Sequence, residues 1–160
     1  MKLSDGNMLY LNKFENLINI MKKFEFVDIT TADVAFIAYG KDLNELFENA
    51  ALAFFEVMIN TDQVKPKLKI EIKVDGDDLV SLMFNWLNEL LIYVDGENLA
   101  FSKFDVKIDE EKFNLDATCS GEKIDLKRHE TRTAVKAATY HKLEIKKVDK
   151  LWKARVIVDI

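Results

Sequence analysis

Two apolar stripes of helical period, separated by one strictly alternating segment, limit what this chain can fold into. Leu43, Leu46, Phe47, Ala50, Phe54, Val57 and Met58 recur at intervals of three and four residues, which sets them on one face of a helix of roughly four turns. Asp42 precedes the stripe and can accept backbone N–H bonds, and Glu45 stands three residues on, where a capping-box variant needs it. Leu79, Leu82, Met83, Trp86, Leu87, Leu90 and Leu91 form the second stripe, with Asp77 or Asp78 as its cap. Between the two, Leu68, Ile70, Ile72 and Val74 alternate with charged residues, the pattern of a half-buried strand.

Strand patterns also cover Phe24 to Asp28, Asp33 to Gly40, Leu99 to Ile108, Phe113 to Cys119, Thr139 to Lys147 and Lys153 to Asp159. Gly40 closes a strand, Gly96 and the Asp109-Glu110-Glu111-Lys112 cluster supply turns, and Gly121 separates Cys119 from the loop that follows. Two strands, helix, strand, helix and then a run of strands predict an α+β single domain, a mixed or antiparallel β-sheet with two main helices packed on one face. The Phe-rich stripe reads as core rather than as a ligand pocket. Residues 1–20 stand apart. Leu11, Phe14, Leu17, Ile18 and Met21 fit a short amphipathic helix, but Met21-Lys22-Lys23 also resembles a fresh start, so 1–20 is read as an N-terminal extension and 21–160 as the domain.

A length of 160 residues suits one domain. The net charge of −5 argues against a surface built to grip nucleic-acid phosphates. Direct nucleic-acid binding is therefore expected to be weak or absent, a local basic patch aside. Cys119 is the single cysteine and excludes an intramolecular disulfide, and with only His129 and His141 beside it no zinc site forms. A cytoplasmic location is the default. No apolar run approaches the roughly 20 residues that span a bilayer, so no membrane partner is expected. A dinucleotide fingerprint, a P-loop and a nucleophile elbow are all missing.

What chemistry there is lies at the ends. The last strand pattern places Asp159 beside Ile160, at what reads as a natural end carrying two carboxylates, and Asp33 sits in an apolar strand pattern near the other end. If folding joins them, their repulsion calls for a cation, and oxygen ligands suit calcium or magnesium far better than zinc. So few ligands leave coordination positions for water or a partner. The competing reading makes Asp33 a strand end and Asp159 a solvated tail residue. A second cluster holds Lys136, Thr139 and His141, with His129 and Glu130 upstream. In a strand, Thr139 and His141 share a side, and His141 is either a proton carrier near neutral pH or a histidine bonded within a packed sheet. Arg132 and Lys136 are candidates for contacts to the carboxylates, a partner or a phosphate, or are solvated charges. Cys119 reads as a small buried residue. Phe36 and Trp152 would contribute to an apolar patch if the chain held other proteins.

Six colinear segments carry a family resemblance: Phe24 to Asp28 with Thr31-Ala32-Asp33-Val34; Ala38-Tyr39-Gly40; Leu46 to Met58; Trp86 to Leu91; Val135 to His141; and Val158-Asp159-Ile160. Together, from Met21 to Ile160, they resemble archease. The resemblance implies an accessory protein without catalytic activity that activates the RtcB-type tRNA-splicing RNA ligase, promoting its guanylylation and repeated turnover. It also implies a divalent-metal site, with calcium first and magnesium or manganese as alternatives, held by Asp33, Asp159 and Ile160. Asp28, Arg132, Lys136 and His141 are then candidate partner-facing or supporting residues. Other readings are a chaperone-like modulator of a tRNA cytosine-5 methyltransferase and a metal-dependent hydrolase. The chain departs from the family pattern in two places. Ile29-Thr30-Thr31 stands where many members have a histidine before Thr-Ala-Asp, with one extra residue between Asp28 and Ala32, and Ala35 replaces a frequent glycine.

Overall fold

The computed structural model describes residues 5–160, with the side chains of 14–21 outside the described set. The chain runs α1 (Asp5–Met21), β1 (Phe24–Ile29), β2 (Asp33–Gly40), α2 (Leu43–Met58), a 3-10 turn (Thr61–Gln63), β3 (Leu68–Asp75), α3 (Leu79–Glu97), β4 (Leu99–Asp109), β5 (Asn114–Lys123), β6 (Ala137–Ala138), β7 (Glu144–Val148) and β8 (Leu151–Asp159). The fold class is α+β, as the element order predicts. The N-terminal segment is helical, and Met8, Leu9, Tyr10 and Leu11 on it are exposed. Phe14, Leu17, Ile18 and Met21 of its expected stripe lie outside the described side chains.

Not one sheet but two are present among the described residues. β1, β2 and β8 lie side by side, and β6 and β7 share the far edge of β8; β3, β5 and β4 form the second sheet. Every pairing is antiparallel, so the mixed alternative falls away. The helices also do more than cover one face. α2 lies against β2 and β8 of the first sheet and β4 of the second. That is why Ala51, Ala53 and Phe55, outside its apolar stripe, are buried as well. The side chain of Asp42 accepts from Glu45 N at 2.8 Å, while the complete reciprocal box forms at α3 between Asp78 and Ser81.

α2 also seals the free edge of β4. Glu48 Oε2 accepts from Val106 N at 3.0 Å and Asn44 Oδ1 from Ile108 N at 2.9 Å, so edge N–H groups that would otherwise be unpaired gain partners. Trp86 Nε1 donates to Phe47 O at 3.0 Å and ties α3 to α2 in the core. Phe55, Phe101 and Phe104 pack around these helices with mostly edge-on ring contacts, the geometry that ring quadrupoles favour.

Three local expectations need correction. The segment Thr139 to Lys147 is not one strand. β6 ends at Ala138, residues 140–143 turn with Lys142 at φ 53°, and the chain pairs again only as β7. Thr139 is the last residue to hold on to β8, its N–H (3.1 Å) and its hydroxyl (2.8 Å) both donating to Ile157 O, before the chain turns away. Gly121 lies inside β5 rather than at a loop. A Cβ there would meet Ala100 O at 1.8 Å, so the glycine lets β4 pass close at its bulge between Phe101 and Lys103. The reversal expected at Gly96 occurs at Asn98, in the left-handed region at φ 56°.

Candidate functional site: an opposed acidic pair

Asp33 opens β2 and Asp159 closes β8, and the two are direct cross-strand partners. The next pair, Val34 and Val158, is buried on the core face, so alternation turns both aspartates to the outer face. Cβ atoms directly opposite each other in an antiparallel pair lie about 4.5–5.5 Å apart, and like charges so placed destabilise the sheet. Neither carboxylate has a cationic side-chain partner among the described residues. Nor does any group of three or more His, Cys, Asp or Glu among them form a cluster able to hold a metal.

The surrounding backbone fixes the pair. Ile160 N donates to Ala32 O at 2.9 Å, and Lys136 N to Asp159 O at 2.8 Å. Asp159 is therefore paired on both sides, by Asp33 of β2 and Ala137 of β6. Thr30 closes the β1–β2 turn: its N–H donates to Asp33 O at 2.8 Å, and its hydroxyl oxygen accepts from Asp33 N at 3.0 Å and Ala32 N at 3.2 Å. A bulge at Val27 makes Asp28 the partner of Ala35. This register puts Asp28 on the face of Asp33, one diagonal away. The side-chain ligands at hand, Asp28, Asp33 and Asp159, are carboxylates, and oxygen ligands suit a hard divalent ion rather than zinc.

The other sequence candidates separate. Arg132 donates from Nη1 to Glu56 Oε2 (2.7 Å) and Glu56 O (2.9 Å), and from Nε to Glu130 Oε1 (3.2 Å). Its guanidinium is thus committed to α2 and its own loop. Lys136 has an exposed side chain without an ion-pair partner among the described residues. His141 is exposed in the turn after β6, so the shared strand face with Thr139 does not exist. His129 does not join it either: it is buried, Nε2 lies 2.7 Å from Glu122 Oε1, and Nδ1 accepts from Asp125 N at 2.9 Å. Phe36 is fully buried and cannot form a surface patch, while Trp152 is half-buried with Lys147 Nζ 5.7 Å from its ring centre. Burial pushes the Cys119 thiol up to about 12, so it stays protonated and inert.

Sequence reasoning missed three supporting residues. Thr30 looks like any turn threonine, although an oxygen two or three residues before an acidic strand start is a local signal for such a turn. Asn88 is the polar interruption of an apolar helix, and it bonds both backbone groups of Ala138. Glu122 is buried at the end of β5, where it accepts from Lys65 N (3.1 Å), His129 and Arg128 (2.7 Å) and faces Lys67 at 3.4 Å. Nothing in its sequence neighbourhood marks that.

The Archease protein family (MTH1598/TM1083) matches residues 24–160. The chain is 51% identical over 142 residues to protein archease of Methanothermobacter thermautotrophicus and 49% identical over 140 residues to that of Sulfurisphaera tokodaii, in each case with 88% of this chain against 100% of the relative. The solution structure of Methanobacterium thermoautotrophicum protein 1598 superposes with a TM-score of 0.71 at 50% identity, covering 86% of this chain and 99% of that one. An archease from Thermotoga maritima, described as a possible chaperone, shares the fold at 21% identity and a TM-score of 0.58, over 84% of this chain and 95% of that one. A match over nearly all of the domain, at about half the residues, makes this chain a member of the archease family.

Proposed function

We propose that this protein activates an RtcB-type RNA ligase without catalysing a reaction itself, by holding a divalent cation at the corner where β2 and β8 end. The observation that carries this is the direct opposition of Asp33 and Asp159, with no ion pair to either carboxylate among the described residues. The two carboxylates and an oxygen of Ile160 would hold the ion at about 2.3–2.6 Å if it is calcium. When bound, the ion supplies a positive charge with open coordination positions that a partner's oxygens can fill. Thr30 fixes the turn that carries Asp33, and β6 backs Asp159. Asp28, and Lys136 whose N–H bonds to Asp159 O, stand next to the corner and are the residues we assign to the partner's approach. Family membership supports the choice of client, and residues 21–160 are the unit expected to act, since the family match begins at residue 24.

The test is guanylylation of the cognate ligase with and without this protein, followed by RNA joining over many turnovers. Stimulation by the native protein, reduced at least tenfold in Asp33→Ala and Asp159→Ala, is the expected result. Undiminished stimulation in both variants would refute the metal mechanism.

One observation favours a second reading, a chaperone-like hold on a client such as a tRNA methyltransferase. Phe26, Val27 and Ile29 are exposed on β1, the edge of the first sheet. Suppression of client aggregation that survives both aspartate substitutions but is lost in Ile29→Asp would support it.

A further inference from the structure

The outer face that carries the acidic pair at one end carries its opposite at the other. Lys153 of β8 is the direct register partner of Lys146 on β7, and Arg155 stands beside Ile37 on one flank and Glu144 on the other. Two lysines directly opposite each other repel for the same reason as two aspartates. Glu144 does not relieve Arg155, because its carboxylate pairs with Lys146 at 3.3 Å. Lys153 Nζ sits 5.7 Å from the centre of the Tyr39 ring. Arg155 has no ion-pair partner among the described residues. Ile37, Glu144, Lys146, Lys153 and Arg155 line a groove of about 180 Å³.

We propose that this groove binds a phosphate group, with the Arg155 guanidinium gripping two oxygens and Lys146 and Lys153 neutralising the rest. Within the groove three cationic side chains meet one carboxylate. Glu25, across from Ile37 on β1, also faces Lys153 but is itself paired with Lys22 at 3.1 Å, so a surplus of two positive charges remains, the complement of a phosphomonoester near neutral pH. The planar fork of arginine matches two phosphate oxygens at once, which a carboxylate-bearing protein surface does not require. A net charge of −5 over the whole chain repels a long polyanion elsewhere, so the ligand is a phosphomonoester, free or at the end of a larger molecule. Along β8, Arg155 lies four positions from Asp159, about 13 Å, and Lys153 six positions, about 20 Å. The groove is thus separate from the acidic corner and stands or falls independently of it.

The test is titration of the full chain with inorganic phosphate, guanosine monophosphate, and a short oligoribonucleotide with and without a terminal phosphate, followed by backbone amide shifts and fluorescence anisotropy. Saturable binding with shifts on β7 and β8, weakened at least tenfold in Arg155→Gln and in the fully surface-located Lys146→Gln, is expected. Binding of the small phosphates and of the end-phosphorylated oligomer alone assigns a phosphomonoester. Binding of both oligomers alike overturns that assignment. No saturable binding to any probe, or binding unchanged in both variants, overturns the site itself. A calcium titration of the same variants should be unaffected, which distinguishes this failure from failure of the acidic corner.

Discussion

Asn88 of α3 makes two hydrogen bonds to a single residue, Ala138: Nδ2 donates to the Ala138 carbonyl at 3.2 Å, and Oδ1 accepts from its N–H at 2.9 Å. The side-chain amide thus acts as a strand partner for β6, whose other edge pairs with β8 at Val158 and Asp159. A two-residue strand cannot hold itself in place, so the helix fixes the strand that backs the acidic pair. Asn88→Leu should cost about 1–3 kcal/mol, because it leaves two buried backbone groups unpaired. Denaturant melts should register the loss, and amide exchange should quicken at residues 136–139 and at Asp159 before it changes in β3–β5.

The aspartate pair makes a prediction whose sign changes with metal. With chelator present, Asp33→Asn removes one of two like charges facing each other across the sheet and should raise stability by about 0.2–1 kcal/mol. With excess divalent ion the order should reverse, because only the native pair gains from binding. Melts of both proteins with and without calcium check the crossing.

Glu122 gives a pH dependence. Burial alone would raise its pKa, but the hydrogen bonds from Lys65 N, Arg128 and His129, with the Lys67 ammonium 3.4 Å away, outweigh it and hold the carboxyl at about 2. A carboxyl lowered in the folded state binds its proton more readily when unfolded, so its contribution is present above its ordinary value near 4.5 and is lost as pH falls toward 2. Glu122→Gln should cost about 2 kcal/mol at pH 7, and its stability should fall less steeply than that of the native protein between pH 5 and pH 2 in acid titrations followed by circular dichroism.

Gly121→Ala should be among the most damaging single-methyl additions, since its Cβ would lie 1.8 Å from the Ala100 carbonyl oxygen and backbone would have to move. A loss of about 3 kcal/mol or more is expected, measured against Gly6→Ala, where a Cβ meets nothing within 4 Å.

Much of the fold was legible because burial has a period. The starts of α2 and α3 and the alternation of β3 fall within a residue of where the sequence puts them, although α3 runs on through Gly96 to Glu97. What periodicity cannot convey is the number of layers. Ala51 and Phe55 carry no sign that a second sheet waits behind α2, and the burial of Phe36 under α2 removes a residue that looks available for the surface. Turns hidden inside strand-like composition were the other loss, as at residues 139–143, where Thr139 bonds back to Ile157 and a stacked Phe84–Tyr140 pair, with ring centres 3.9 Å apart, accompanies the bend. For the site, the family resemblance and the charge pattern together nominate Asp33 and Asp159, and the register joins them. His129, Glu130 and Arg132 share a sequence neighbourhood with His141 but are drawn to Glu122, Gln63 and Glu56 on other elements, a separation that no linear spacing encodes.

The most direct measurement of the central claim is thermal melting of the native chain, Asp33→Ala and Asp159→Ala during calcium titration, with magnesium and manganese in parallel. A ligand bound only by the folded protein at a hundredfold excess over Kd adds about 2.7 kcal/mol, or a rise of roughly 5–10 °C for a domain of this size. The expected result is that rise in the native protein and its loss in both variants; equal curves for all three proteins, with every ion, would contradict a cation site between Asp33 and Asp159.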